Sequence, residues 1–356
     1  MGYRLLDTSQ KDLWRHYWRE LPVFQRDVYF LPEYYELYEN DTVKAKCFVY
    51  EDGEKTALYP FLMTNINAIV NFKLDGQYFD IEGAYGYNGI AANTADQNFF
   101  SDFSAKFFDL CKNENIIAEF TRFNPVLANH KYSSYMEVEK SNTNVLVDLS
   151  MSDEDLWMKS YEHCVRKSVN KARKNNLQVL FFKGTELKEE RLGEFMDIYY
   201  SSMKRNQAEK TYYFDKDYFR KLINSVGGNA FFFFTLLQGE AISCELVMVG
   251  GKTVYSFLGG TLSQYFPLRP NNLLKHEIIK QFKSMNYAFY CIGGGAKTDD
   301  GIFRYKRTFS TNGAVDFYIG KKIHNHEIYK YVCESWEKAN PEKAQLCAQY
   351  FLKYKL

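Results

Sequence analysis

The sequence predicts an α/β (α+β) protein of two similar domains, each a mixed, mostly antiparallel sheet flanked by helices. Three observations carry that expectation. Helix-spaced and strand-like apolar runs alternate along the whole chain, which excludes a pure helix bundle or β-sandwich. The order of elements up to residue 145 recurs in fuller form after it. The length of 356 residues exceeds one typical domain.

Ser9–Leu21 reads as a helix started by Ser9. Val43–Tyr50 and Lys55–Thr64 read as strands of a hairpin about the turn Glu51-Asp52-Gly53-Glu54. Gln77–Ile81 is strand-like. Asp96–Cys111 carries Phe99, Phe103, Phe107 and Leu110 at helical spacing, and Ile116–Phe120 follows as a buried strand. The second series opens with helices at Asp155–Asn175, Lys188–Arg205 and Asp215–Ser225. Strands come next at Ala230–Leu237 and Ala241–Val249, around the tight turn Gln238-Gly239-Glu240, and then at Lys252–Leu258. A helix at Leu273–Met285 and a strand at Ala288–Ile292 complete it. The tail reads as a strand, Ala314–Ile319, and a helix, Asn325–Lys338, expected to return to the first domain. The predicted domains are residues 1–145 with 320–356, and residues 146–319.

Hydrophobic and charged fractions of 46% and 25% suit a soluble globular protein with a real core. The seven cysteines are scattered, odd in number and without a CxxC, which argues against a zinc site or a disulfide framework and suits a reducing cytoplasm. The first residues are charged throughout and show no apolar core of a signal peptide. Phe231–Leu237, the most apolar run, is far too short for a bilayer, so membrane contact is expected to be peripheral at most. There is no GxSxG, Walker A or HExxH motif, and Gly293–Gly295 lacks the spacing of a dinucleotide loop. No metal is expected. His324 and His326, in a polar stretch, read as surface residues.

Four segments carry candidate chemistry. Gly83-Ala84-Tyr85-Gly86-Tyr87-Asn88-Gly89 offers flexible backbone with two tyrosine rings, suited to a substrate loop. In Phe120-Thr121-Arg122-Phe123-Asn124-Pro125, the period-two rule puts Arg122 and Asn124 on one side as a recognition edge. Around Cys164–Asn176, Arg166, Lys167, Lys171, Arg173 and Lys174 occupy a helical arc of about 160° opposite Val165, Val169 and Ala172. With no acid among them, they form a cationic face suited to a polyanion such as a nucleotide, tRNA or phosphate. The fourth is composite. Tyr255–Thr261 ends a strand, Arg269-Pro270-Asn271-Asn272 opens a helix whose first amides favour an anion, and Gly293–Gly295 is followed by Arg304, Lys306 and Arg307.

In this order the segments resemble the Fem family, the aminoacyltransferases that build peptidoglycan cross-bridges, and related single-chain GNAT acyltransferases of bacterial surface-polymer loci. Asn144–Leu149 corresponds to the strand entering the second domain, with the basic helix after it. Phe266–Glu277 resembles the family's helix start. Tyr290-Cys291-Ile292-Gly293-Gly294 resembles its Tyr-x-x-Gly-Gly strand end, and Tyr305-Lys306-x-x-Phe309 its Phe-Lys-x-x-Phe signature. The resemblance implies two GNAT-like domains, the first on the acceptor side and the second on the donor side. It implies that Lys306 meets the acyl ester of the donor and that Tyr255 lines the same site. There are departures. The family's acidic residue after Arg-Phe is here Asn124, a phosphate-holding lysine has no match in Tyr34–Tyr38, and no heptad arm occurs. The GNAT pyrophosphate loop, Gln/Arg-x-x-Gly-x-Gly/Ala, is missing near Gly259.

The expected reaction is N-acyl transfer. An aminoacyl group passes from aminoacyl-tRNA to an amine of a cell-wall or surface-polymer precursor, with Lys306 and Tyr255 catalytic. Tyr85, Tyr87, Arg122 and Asn124 are expected to bind the acceptor, a small or lipid-linked amine. Arg166, Lys167, Lys171, Arg173, Lys174, Arg269 and Arg304 are expected to bind the donor. The acyl donor is a co-substrate, no other cofactor is expected, and tRNA but not DNA is the expected nucleic acid partner. Two alternatives stand beside this: an acyl-CoA-dependent N-acyltransferase acting on an amino sugar or nucleotide sugar, and a non-catalytic binding module of the same fold.

Overall fold

The computed structural model describes residues 2–356 and divides into two compact units, residues up to 141 with 317–356, and residues 142–316. The division falls inside two strands, β7 and β13 below. Among the described residues no helix is long and apolar enough to cross a membrane, and no group of His, Cys, Asp or Glu could hold a metal.

The first unit begins with β1 (Gly2–Asp7), α1 (Lys11–Glu20) and α2 (Pro32–Glu36). The hairpin β2 (Val43–Asp52) and β3 (Lys55–Asn65) turns at Gly53, where φ is +61°. Then come β4 (Phe79–Glu82), β5 (Ala91–Ala92), α3 (Gln97–Asn113) and β6 (Ile116–Arg122). Asp96 caps α3 by accepting from the Asn98 amide at 2.9 Å. The inward side of α3 sets Phe99, Phe103 and Phe107 against Phe48, Tyr50 and Tyr59 of the hairpin, ring against edge. β7 (Glu137–Asp148) follows.

The second unit continues with α4 (Asp153–Asp155), α5 (His163–Lys174), β8 (Gln178–Lys183), α6 (Glu189–Arg205) and α7 (Lys216–Val226). Next are β9 (Ala230–Leu237), β10 (Glu240–Gly250), β11 (Thr253–Thr261), α8 (Pro270–Ser284), β12 (Phe289–Gly293) and α9 (Gly301–Arg307). β13 (Ala314–Ile323), α10 (His326–Ala339) and α11 (Pro341–Leu346) lead back into the first unit.

In the first unit the strands run β1-β2-β3-β4-β6-β13, with β5 on β3, and β4–β6 is the parallel pair among the described strands. In the second they run β7-β12-β11-β10-β9-β8, with β11–β12 parallel. Both units are thus mixed, mostly antiparallel sheets with helices packed on them. The second core joins Val247, Val249, Val254, Tyr290 and Ile292 of the sheet to α5 and α8 through Val165, Val169, Leu274 and Ile278.

The structure departs from the sequence reading in several places, and the short elements α2, β5, α9 and α11 have no counterpart in it. Asp155–Asn175 is not one helix: α4 runs into a π turn, Leu156–Ser160, the chain extends at Tyr161, and α5 starts afresh. Tertiary hydrogen bonds draw it out. Ser160 Oγ donates to the Phe309 carbonyl at 3.1 Å and the Glu162 amide to the Thr308 carbonyl at 2.8 Å. β1 and β8 also went unrecognised, because their exposed and half-buried residues give no clean alternation. His324 is not a surface residue: its side chain is 6% exposed and its Nε2 lies 2.9 Å from fully buried Glu119.

Candidate active site

A cleft of about 590 Å³ opens in the second unit where the first half of β10 and the second half of β11 lie beside the C-terminal turn of α6, the start of α8, and α9. Small residues make room for it. A Cβ on Gly260 would lie 2.4 Å from Ser202 Oγ, and one on Gly259 would lie 2.5 Å from the Cys244 carbonyl. Those two glycines let β11 pass under α6 and β10 at backbone distance.

Lys306 lines this cleft. Asp300 starts α9 by accepting from the Phe303 amide at 2.8 Å, and it also closes the preceding turn through the Ala296 and Lys297 amides. From that start the helical spacing turns Phe303 and Lys306 inward and leaves Arg304 and Arg307 in solvent. The Lys306 ammonium donates to the Gly294 carbonyl at 2.6 Å. Desolvation, and then the nearby Lys275 charge, bring its pKa down to about 8.

A second charged group underlies the cleft. Lys275 and Glu245, with side chains 6% and 5% exposed, pair at 2.8 Å. Tyr290 donates its hydroxyl to the other Glu245 oxygen, and Ser256 Oγ stands 3.5 Å from the Lys275 ammonium. Burial and the Glu245 charge push the Tyr290 phenol well up, so Tyr290 stays a neutral donor. Such a pair is costly to desolvate and is weak evidence of stability for its own sake. At the mouth, Arg205 lies 5.0 Å over the Phe266 ring and donates to the Thr261 carbonyl at 2.9 Å. Arg269 shares that mouth with a φ of +63°, a left-handed conformation that is strained for a residue with a side chain.

Of the residues singled out from sequence, Lys306 and Arg269 are therefore brought together, and eight others take different places. Tyr255 is buried in β11 between Met248 and Cys291, and its neighbour Ser256 is the one that faces the cleft. Arg304 points to solvent and does not line the cleft. Arg166 donates to the Trp157 and Tyr161 carbonyls at 3.0 and 2.6 Å, so it braces the broken helix. Arg173 pairs with Glu277 at 3.0 Å. Asn124 is fully buried, because the chain turns after β6. Its Oδ1 accepts from the Val126 and Leu127 amides, and its Nδ2 donates to Asp27. Lys167, Lys171 and Lys174 are exposed along α5 and stand outside the cleft.

In the first unit, Tyr87 packs edge-on against Tyr29 and Phe317, with centroids 5.6 and 5.7 Å away. The exposed Arg122 guanidinium lies 5.7 Å over the same Phe317 ring, so Tyr87 and Arg122 flank one aromatic plate. Tyr85 is half-buried, and its carbonyl accepts from the Tyr34 hydroxyl. Asn88 ties the loop together, accepting from the Arg122 amide at 2.6 Å and donating to the Ala84 carbonyl at 3.2 Å.

Sequence reasoning passed over Arg205, Glu245, Lys275 and Ser256. Two of them left a trace. Glu245 is the only charge inside the apolar run Ile242–Val249, and Lys275 stands between Leu274 and Ile278 on a buried helix face. A lone charge in an apolar element implies a buried partner.

Residues 163–307 match the family described as an acetyltransferase (GNAT) domain. No curated protein matches the chain in sequence. Among solved structures, FemX is 14% identical and superposes with a TM-score of 0.69 over 93% of this chain and 99% of its own. A conserved protein of unknown function from Bacteroides thetaiotaomicron is 11% identical, with a TM-score of 0.52 over 90% of this chain and 100% of its own. The C-terminal domain of an Agrobacterium fabrum protein, assigned by name to the lysylphosphatidylglycerol synthetases, is 12% identical. Its TM-score is 0.51 over 77% of this chain and 84% of its own. At such identities the likeness is one of fold, and that fold is Fem-like, with a GNAT acyltransferase domain over residues 163–307.

Proposed function

We propose that this Fem-like GNAT acyltransferase moves an aminoacyl group from aminoacyl-tRNA to an amine of a cell-wall or surface-polymer precursor. The observation that carries the donor assignment is the segment joining β11 to α8. It folds on itself as a 3-10 turn, Ser263–Leu268, in which the Tyr265 amide binds the Leu262 carbonyl at 3.1 Å and the Arg269 amide the Phe266 carbonyl at 3.1 Å. Pro270, the first helical residue, has no amide to give. Three of the backbone positions that could cradle a coenzyme A pyrophosphate are thus spent or missing, leaving the Asn271 and Asn272 amides of the first turn. Side-chain cations add to them, with Arg205 and Arg269 at the mouth.

In this reading the acyl ester lies in the cleft with its carbonyl toward Lys306. The acceptor nitrogen attacks, the C–N bond forms, the C–O bond to the ribose breaks, and the proton lost by the amine ends on the released ribose hydroxyl. The ammonium stabilises the oxyanion in a site shielded from water, where such a charge counts most. Glu245 holds the Lys275 ammonium in place behind Lys306, where its charge helps to lower the Lys306 pKa. Tyr87 and Arg122 recognise the acceptor. The acetyltransferase family match favours the alternative, an acyl-CoA donor. Labelled aminoacyl-tRNA and labelled acyl-CoA offered to the same panel of amines decide between them. Amide product from aminoacyl-tRNA supports the proposal, and product from acyl-CoA alone replaces it with the alternative.

A further inference from the structure

A second cavity in the same unit, of about 250 Å³, lies away from Lys306, between the π turn, α5 and the middle of α8. Its aromatic wall is a cluster of three rings: Trp157 is 5.3 Å from His276 and 5.9 Å from Tyr161, and Tyr161 OH lies 3.2 Å from His276 Nδ1. The π turn sets Trp157 half-exposed at the rim, while the other two rings are buried. π turns of this kind recur at functional sites. Leu156 and Ile279 supply apolar lining. The cavity is smaller than the roughly 300–1,000 Å³ that buries a drug-sized ligand, so one flat ring system fits it.

Charge continues from the rim along α5. Arg173, Lys280 and Lys283 line the cavity, with Glu277 and Asp153 as partners within 4 Å. Arg173, Lys280 and Lys283 supply the cations there, partly offset by Asp153, Glu154 and Glu277, and burial holds His276 neutral by bringing its pKa down to about 4. Lys167, Lys171 and Lys174 then stand at i, i+4 and i+7, one exposed stripe with no ion pair among the described residues. That stripe spans about 10 Å of helix, more than a single phosphate occupies. The stripe lies roughly 120° around α5 from Arg173, within reach of a chain that wraps the helix. An open aromatic ring, here Trp157, with a cationic track on the same unit is the pairing that binds single-stranded nucleic acid without reading its sequence.

We infer that the Trp157–Tyr161–His276 cavity takes one unstacked nucleobase of a single-stranded RNA segment whose phosphates run along Lys167, Lys171 and Lys174. This deepens the aminoacyl-tRNA reading and rests on it for the identity of the RNA. It assigns the basic helix a binding role separate from the acyl-transfer cleft.

The test uses the full chain with a short single-stranded oligoribonucleotide, and with coenzyme A as the competing nucleotide. The oligonucleotide is expected to quench tryptophan fluorescence. Trp157→Phe should keep binding within a few-fold and lose most of the quench, because the ring that stacks is retained but the reporter is not. Trp157→Ala should weaken binding about 5- to 150-fold. The triple reversal Lys167→Glu, Lys171→Glu, Lys174→Glu touches only exposed side chains, and should flatten the log–log salt slope by about 2. Oligonucleotide affinity unchanged by both Trp157→Ala and the triple reversal overturns the inference. So does coenzyme A quenching Trp157 when the oligonucleotide does not. Wild-type turnover with a minimal aminoacyl ester separates the two claims. Turnover without oligonucleotide binding sinks this site alone, whereas binding without any turnover sinks the acyl-transfer reading and leaves this site standing.

Discussion

Lys306 donates its ammonium to the Gly294 carbonyl at 2.6 Å, at the C-terminal end of β12 and on the edge of the larger cleft. Gly294 itself is pressed against β7, where a Cβ would stand 2.7 Å from the Thr143 carbonyl and 2.8 Å from Asn144 Oδ1. The glycine run therefore brings the strand end close to its neighbour. That contact fixes the carbonyl that holds the lysine.

The pH dependence of turnover follows from the lowered pKa of Lys306, about 8. An oxyanion-stabilising lysine works only while protonated, so its contribution is complete below that value and fades as pH rises through it. Turnover is expected to bend downward above about 8. Lys306→Arg should remove that bend, since a guanidinium stays charged. A pH–rate profile of the two proteins checks this, and wild-type turnover still climbing well above the bend would make Lys306 a base instead.

Removing one partner of the Lys275–Glu245 pair should be costly. Glu245→Gln leaves a buried ammonium uncompensated, an expected loss of about 3–5 kcal/mol in unfolding free energy. The double change Lys275→Met with Glu245→Leu should recover most of that stability yet leave acyl transfer impaired. Denaturant unfolding and turnover of the same proteins report the two effects. Full activity in the stable double variant would make the pair purely structural.

Acceptor recognition is assigned to Tyr87 and Arg122 on either side of Phe317. Tyr87→Phe with Arg122→Ala keeps the ring packing and removes the polar groups. The acceptor KM should rise about 10- to 100-fold, as for loss of a charge-assisted hydrogen bond, with the donor KM unchanged. Steady-state kinetics with each substrate varied in turn decide it, and an unchanged acceptor KM removes both residues from recognition.

Much of the fold was legible because its signals are local. The Phe99–Phe103–Phe107 spacing, the Asp52-Gly53 turn and the Gln238-Gly239 turn each name their element without help from the rest of the chain. What failed depended on partners far along the sequence. The break at Tyr161 is made by hydrogen bonds to residues 308 and 309, and the burial of His324 by Glu119. The site shows the same division. Lys306 could be found from its local signature, whereas Arg205, Glu245 and Lys275 meet only when α6, β10 and α8 converge. Period-two reasoning misplaced Asn124 because β6 ends at Arg122 and the next residues form a turn. The arc of five basic residues on α5 proved to be two stripes, arginines tied to the fold and lysines facing solvent.

The central claim, that the Lys306 cleft transfers an aminoacyl group from aminoacyl-tRNA to an amine, is tested most directly by labelled amide formation in the wild type and in Lys306→Ala. The account predicts product from aminoacyl-tRNA with the wild type, and a drop of about 10²–10³ in rate for a variant that remains folded, the usual cost of one lost oxyanion stabiliser. A rate for Lys306→Ala within about threefold of wild type, or no amide from aminoacyl-tRNA with any amine, would contradict it.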